Sequence, residues 1–158
     1  MGQNQESHTS RAHFSNPVLN AVINVNMAAS FLQARVNEAC TPLGITGVQY
    51  SILRILQRSD NSGLSRNDIV RQIIEKSVDV TRSIDGLVKL GYVEREPSAN
   101  DRRMVLHRIT EQGNTALHSI DPNFRTMLNA IGSAFTSDEL TVLSSLCEKI
   151  YAQEVTSL

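Results

Sequence analysis

The sequence predicts a mainly α-helical fold that carries one small β hairpin. Three observations lead there. Aromatic residues make up 4% of the chain and tryptophan is absent, so aliphatic and alanine-rich helices must supply the packing. Apolar residues recur at helical spacing through most of the 158 residues. That period gives way to strand-like alternation in one place, on either side of a turn-forming Pro97-Ser98-Ala99-Asn100.

Residues 1 to 14 are polar and aperiodic and read as a flexible tail. Asn16-Pro17 reads as N-cap and first helical position. A stripe of Val18, Ala21, Val22, Val25, Ala28, Ala29, Leu32, Val36 and Ala39 follows, ending near Thr41-Pro42-Leu43-Gly44. A second helix opens at Thr46, whose spacing to Gln49 has capping-box form, and runs through Val48, Ile52, Ile55 and Leu56 to about Arg58. Ser59 to Gly63 form a loop, and Ser65 with Asp68 caps a short helix bearing Ile69, Val70, Ile73 and Ile74.

In the next helix Val80, Ile84, Leu87, Val88 and Leu90 share one face, while Val78, Arg82, Asp85 and Lys89 share the opposite one. Ser77 is its expected N-cap, with Asp79 in the first turn and Gly91 as the stop, giving about 13 residues. The hairpin then places Val105, His107 and Ile109 on one side and Met104, Leu106 and Arg108 on the other, with Asp101-Arg102-Arg103 at its tip. A capped short helix, an amphipathic helix with a partly basic outer row and an Arg-tipped hairpin together make a winged helix-turn-helix. Thr110 caps a further helix with Leu117, Ile120, Phe124, Met127, Leu128 and Ile131 on its stripe, and Asp121-Pro122 is expected to kink or break it, at about 3 kcal/mol. The last helix opens on the capping box Thr136 to Glu139 and turns Leu140, Leu143, Leu146, Cys147 and Ile150 inward.

Net charge is −1, which alone gives no nucleic-acid signal. The distribution is more telling: residues 63 to 109 hold nine Lys/Arg against seven Asp/Glu, and residues 110 to 158 two against six. Positive potential is needed only where phosphates lie. Cys40 and Cys147 are far apart and unclustered, and no secretory leader or membrane span is evident, so a reducing cytoplasm is expected. Both cysteines read as small buried hydrophobes. His107 and His118 lack clustered partner ligands, so neither a metal nor any other cofactor is called for. No nucleophile, carboxylate pair or Gly-rich phosphate loop points to an enzyme.

The run DVTRSIDGLVKLGYVERE, the DRR of the tip and ITEQG at 109 to 113, with QYSILRIL and GLSRNDIV upstream, resemble the MarR family of bacterial winged helix-turn-helix transcription regulators. The likeness is close over residues 45 to 115 and extends to the flanking helices by pattern. It implies a DNA-binding lobe over 45 to 109 and a helical dimerisation region built from 15 to 44 and 110 to 158, in a homodimeric regulator, a repressor, of a palindromic operator. Arg82 and Lys89 then face double-stranded DNA. Arg82 is able to read a guanine and Val78 a thymine methyl, while Ser77 and Thr81 contact phosphate. The resemblance implies that Arg102 and Arg103 enter the minor groove, with Asp101 as wing support.

The family also implies a small aromatic or phenolic effector between the dimer helices and the lobe. Candidate lining is Met27, Phe31, Tyr50, Arg54 and His118, where Arg54 would pair a carboxylate and Tyr50 a phenol. Two other readings stay open. Asp79, Asp85, Glu94 and Glu96 leave the lobe nearly neutral, as a protein-interaction module without operator binding would be, and the cysteines allow a redox-responsive regulator.

Overall fold

The computed structural model describes residues 16–59, 63–73, 79–98 and 103–152. Expectations for the tail over 1 to 14, and for Ile74, Ser77, Val78, Asp101 and Arg102, fall outside these residues. The elements in order are α1 (Pro17–Cys40), a single 3-10 turn (Thr41–Leu43), α2 (Gly47–Gln57), β1 (Leu64–Ser65), α3 (Arg66–Gln72), α4 (Val80–Lys89), β2 (Val93–Pro97), β3 (Val105–Ile109), α5 (Glu111–Gly132) and α6 (Ser137–Tyr151). The fold is mainly α with a three-stranded antiparallel sheet in the order β1-β3-β2. The chain divides into two compact units, one ending at Ala34 and one beginning at Arg35.

Most helix starts are fixed by side chains three residues apart. Asn16 Oδ1 accepts from the amides of Val18 and Leu19. Thr46 with Gln49, Ser65 with Asp68 and Thr136 with Glu139 are reciprocal capping boxes, each satisfying amides that the first turn leaves unpaired. The Ser65 hydroxyl and amide hold the Asp68 carboxyl below its ordinary pKa, and Thr136 does the same for Glu139.

In the second unit α2 is the central element. Ile52, Leu53 and Leu56 are fully buried against Ile69 of α3, Ile84 and Leu87 of α4, and Leu117 and Ile120 of α5. Burying each such side chain contributes about 1.5–3 kcal/mol. The lobe's geometry is therefore set by one apolar core to which every helix from α2 to α5 contributes.

Several expectations are corrected. The N-cap of α4 is Asp79, whose carboxylate accepts from the Arg82 amide at 3.0 Å, so the helix has 10 residues instead of about 13. Pro97 ends β2 instead of belonging to the turn; its register partner is Val105 at the sheet's open end, where a missing amide is tolerated. α5 runs unbroken through Pro122. Ile120 and Phe124, buried on either side of the proline, hold the helix together at the cost of one internal hydrogen bond.

Leu90 and Val70 are exposed, and so is Leu128, although its neighbour Met127 still packs against the core. The row on α6 does not turn inward. Leu140, Leu143, Leu146 and Ile150 are 41–54% exposed, and the α6 helix contributes no residue to the core. On α1, Val18, Val22, Val25 and Leu32 are likewise exposed.

Candidate nucleic-acid interface

α4 separates its two faces sharply. Val80, Ile84 and Leu87 are buried, whereas Thr81, Arg82 and Lys89 are exposed. The helix ends on Gly91, whose φ of 74° is in the left-handed region. The Gly91 amide donates to Val88 and the Tyr92 amide to Leu87, both at 3.0 Å, a Schellman termination that a side chain at Gly91 would strain. This turn sends the chain directly into β2.

The wing is fastened to the helices on both sides. β3 pairs with β2 through Arg95 opposite His107, and with β1 through Leu64 opposite His107. His107 Nδ1 lies 3.2 Å from the Leu64 carbonyl oxygen, to which it donates when protonated. Burial holds the imidazole below its ordinary pKa; Arg95 adds to this, and the Leu64 carbonyl and Asp85 oppose it.

Between α3, α4 and the wing lies an open concavity of about 480 Å³, lined in part by Arg66, Thr81, Asp85, Arg95 and Arg103. Arg66 Nε donates to the Thr81 hydroxyl at 2.7 Å. Asp85 is paired with Arg95. Arg103, the described arginine of the tip, is exposed at the concavity's rim.

The acidic residues that made the lobe look neutral are largely engaged within it. Asp79 caps α4, Asp85 pairs with Arg95, and Glu96 pairs with Arg108. Arg82 and Lys89 thus stand on an outer row whose one carboxylate is already compensated. Arg66 and Arg95 escaped the sequence reading because their partners are 15 and 10 residues away, on other elements, where no spacing rule operates.

Of the residues considered for an effector, Tyr50 and Arg54 lie together on α2. The Tyr50 ring stacks on Phe124 with centroids 4.1 Å apart. Arg54 Nε donates to the Tyr50 hydroxyl at 2.9 Å, Nη1 donates to Gln57 at 3.0 Å, and Nη2 pairs with Asp121. Burial works against the charge of Arg54, but Tyr50 and Asp121 outweigh it and raise its pKa. His118 is exposed on α5, and Met27 and Phe31 are exposed on α1, in the other compact unit. Cys40 is fully buried, and burial pushes its thiol up to about 11, which keeps the reactive thiolate scarce near neutrality. Among the described residues no three His, Cys, Asp or Glu side chains gather as metal ligands, and no helix is long and apolar enough to cross a membrane.

Residues 45–113, which contain α2 to β3 and the start of α5, match the winged helix DNA-binding domain family. Among curated proteins the chain is similar to the transcriptional repressor MprA of Escherichia coli, 26% identical over 129 residues, covering 82% of this chain and 73% of the relative. It is also similar to the HTH-type transcriptional regulator PapX of Escherichia coli, 27% identical over 121 residues, covering 77% and 74%. Among solved structures it resembles a mutant MarR from Escherichia coli complexed with operator DNA, with a TM-score of 0.74, 25% identity and coverage of 88% and 99%. A MarR-like regulator from Bacillus cereus shares the fold, with a TM-score of 0.75 at 22% identity and coverage of 85% and 95%. A winged helix with its outer row bared, in a chain that matches these regulators along most of its length, makes this protein similar to the transcription regulators of the MarR family, with a winged helix DNA-binding fold.

Proposed function

We propose that this chain binds a palindromic operator as a homodimer and represses transcription there until a small aromatic or phenolic acid releases it. The observation that carries the reading is the exposure of Arg82 and Lys89 on α4, opposite the buried Val80, Ile84 and Leu87 and next to the Arg103 wing. In this reading Arg82 enters the major groove to read a base, and Ser77, Val78 and Lys89 complete the helix's contacts. Arg102 and Arg103 occupy the adjacent minor groove with Asp101 supporting the tip. Repression is favoured by the likeness to a protein named as a repressor. The test is a salt series on a duplex carrying the DNA upstream of the chain's own gene. Affinity should fall steeply between about 50 and 200 mM salt, and a salt-insensitive association would exclude operator binding.

Dimerisation accounts for the rows left open on α1 and α6, since exposed apolar positions in such number call for a partner surface. Two copies would present recognition helices about one DNA turn, ~34 Å, apart. Sedimentation of a Leu143→Asp, Leu146→Asp variant should show loss of the dimer or aggregation. A folded wild-type monomer would refute it.

For release, the Tyr50–Arg54 pair supports an aromatic carboxylate that competes with Asp121 for the guanidinium, with His118 as a further polar contact. Such a ligand acts only if it prefers one conformation over another. Salicylate at millimolar concentration should then weaken operator binding by the wild type and leave the Arg54→Ala variant unaffected. Unchanged wild-type affinity, with no heat in calorimetry, would exclude this input.

A further inference from the structure

We propose that Arg66, on the first helix of the helix-turn-helix, clamps a phosphate of the DNA strand that separates the two grooves, and that Thr81 acts by aiming it. The proposal rests on the DNA-binding reading. If α4 lies in the major groove and the wing in the adjoining minor groove, one sugar-phosphate backbone must pass between them. The space between α4 and the wing is the concavity onto which Arg66, Arg95 and Arg103 open.

The charges there favour a polyanion. Among the described residues, Arg66, Arg95 and Arg103 line the concavity with one carboxylate, Asp85, which is paired with Arg95. Asp68, the acid nearest Arg66 on α3, is held by Ser65. His107 stays neutral near pH 7 because burial depresses its pKa.

The geometry of Arg66 suits one phosphate. Its Nε–H is spent on the Thr81 hydroxyl at 2.7 Å, which fixes the plane of an otherwise flexible side chain. A guanidinium has five N–H donors in a rigid fork, so this bond leaves the two terminal amino groups for a bidentate grip on phosphate oxygens. Thr81 is then a positioning residue, its hydroxyl oxygen accepting from Arg66 Nε.

The test uses the full chain and a labelled mixed-sequence duplex of about 30 base pairs, with affinity followed from about 50 to 200 mM salt. Arg66→Ala should lower the slope of log affinity against log salt by about 0.9, the value for one phosphate contact, and weaken binding about tenfold. Arg66→Lys should keep the slope, because the charge remains, and lose part of the affinity. Thr81→Val should weaken binding in the wild-type background and add nothing in the Arg66→Ala background. A wild-type slope in an Arg66→Ala protein with unchanged thermal unfolding overturns the clamp, as do equal Thr81→Val losses in both backgrounds. If Arg66→Ala changes only the protein's sensitivity to inorganic phosphate at constant ionic strength, the site binds free anions and the clamp is again overturned. If the wild type binds no duplex at about 50 mM salt, the DNA-binding reading fails and the clamp with it.

Discussion

Asp85 on the outward row of α4 is paired with Arg95 on β2, so α4 and the wing are joined by an ion pair across the concavity. Both side chains are close to half exposed, a setting in which ion pairs contribute about 0–1 kcal/mol to stability. Asp85→Asn should therefore barely move the urea midpoint, yet weaken duplex binding several-fold, because the wing loses its fixed angle to the helix. Parallel urea unfolding and fluorescence anisotropy decide this. A drop in stability matching the loss of affinity would mean that the pair serves the fold alone.

Arg82 and Arg103 should fail differently when truncated. Arg82→Ala should cost about 1–3 kcal/mol and relax the preference at one operator position, as expected for a bidentate base contact. Arg103→Ala should reduce the preference for A·T-rich flanking sequence while leaving that position intact. Quantitative footprinting on operator variants reads both effects. Wild-type footprints for both proteins would remove these residues from the interface.

Gly113 should tolerate no side chain. A Cβ there would lie 2.3 Å from the Tyr92 carbonyl oxygen and 2.8 Å from a carbon of Ile109. The approach is fixed from both sides: the Gly113 amide donates to the Thr110 hydroxyl at 3.0 Å, and that hydroxyl donates to the Gly91 carbonyl at 2.7 Å. Gly113→Ala should destabilise the protein by about 1–3 kcal/mol through overpacking against backbone that cannot retreat. Chemical denaturation measures it, and a change below a few tenths would show that α5 can slide away from the wing.

His107 should make stability depend on pH in the mildly acidic range. Its pKa is lower folded than unfolded, so below the ordinary histidine value, about 6.5, the unfolded chain takes up the proton first. Its contribution is complete above about pH 6.5 and is lost as pH falls toward the depressed folded value. The wild type should be less stable at pH 5.5 than at pH 7.5, and His107→Gln should show a smaller difference. Asp68 and Glu139, whose pKa values are also lowered, lose their contributions only at more acidic pH. Thermal unfolding at the two pH values checks the sign.

What the sequence made legible is what chemistry settles over short distances. The capping boxes at Thr46, Ser65 and Thr136, the Asn16 cap and the Thr110 cap are interactions between residues two or three apart, and all were readable. The buried face of α4 was readable for the same reason. Asp79 against Ser77 was not, because two good capping residues lie within one turn and backbone geometry selects between them. Pro122 misled because its local cost is real but is overridden by Ile120 and Phe124 in the core. The apolar rows on α1 and α6 were visible as rows, but periodicity says only that a face is apolar and leaves open what covers it. Arg54 with Asp121, 67 residues apart, and Arg66 with Thr81 had no trace in spacing at all.

Ser65 ends β1 and also caps α3, while its neighbour Leu64 carries the carbonyl that receives His107 from 43 residues away. The β2–β3 pairing closes a short loop and can form early, whereas β1 can join only after the chain from α3 to β2 has been gathered in. On loop-closure grounds the third strand of the wing is expected to join after the β2–β3 hairpin. Lengthening the hairpin tip should therefore slow the local step, and disrupting the β1–β3 pairing should leave a two-stranded hairpin beside an α3 still capped by Ser65 and Asp68.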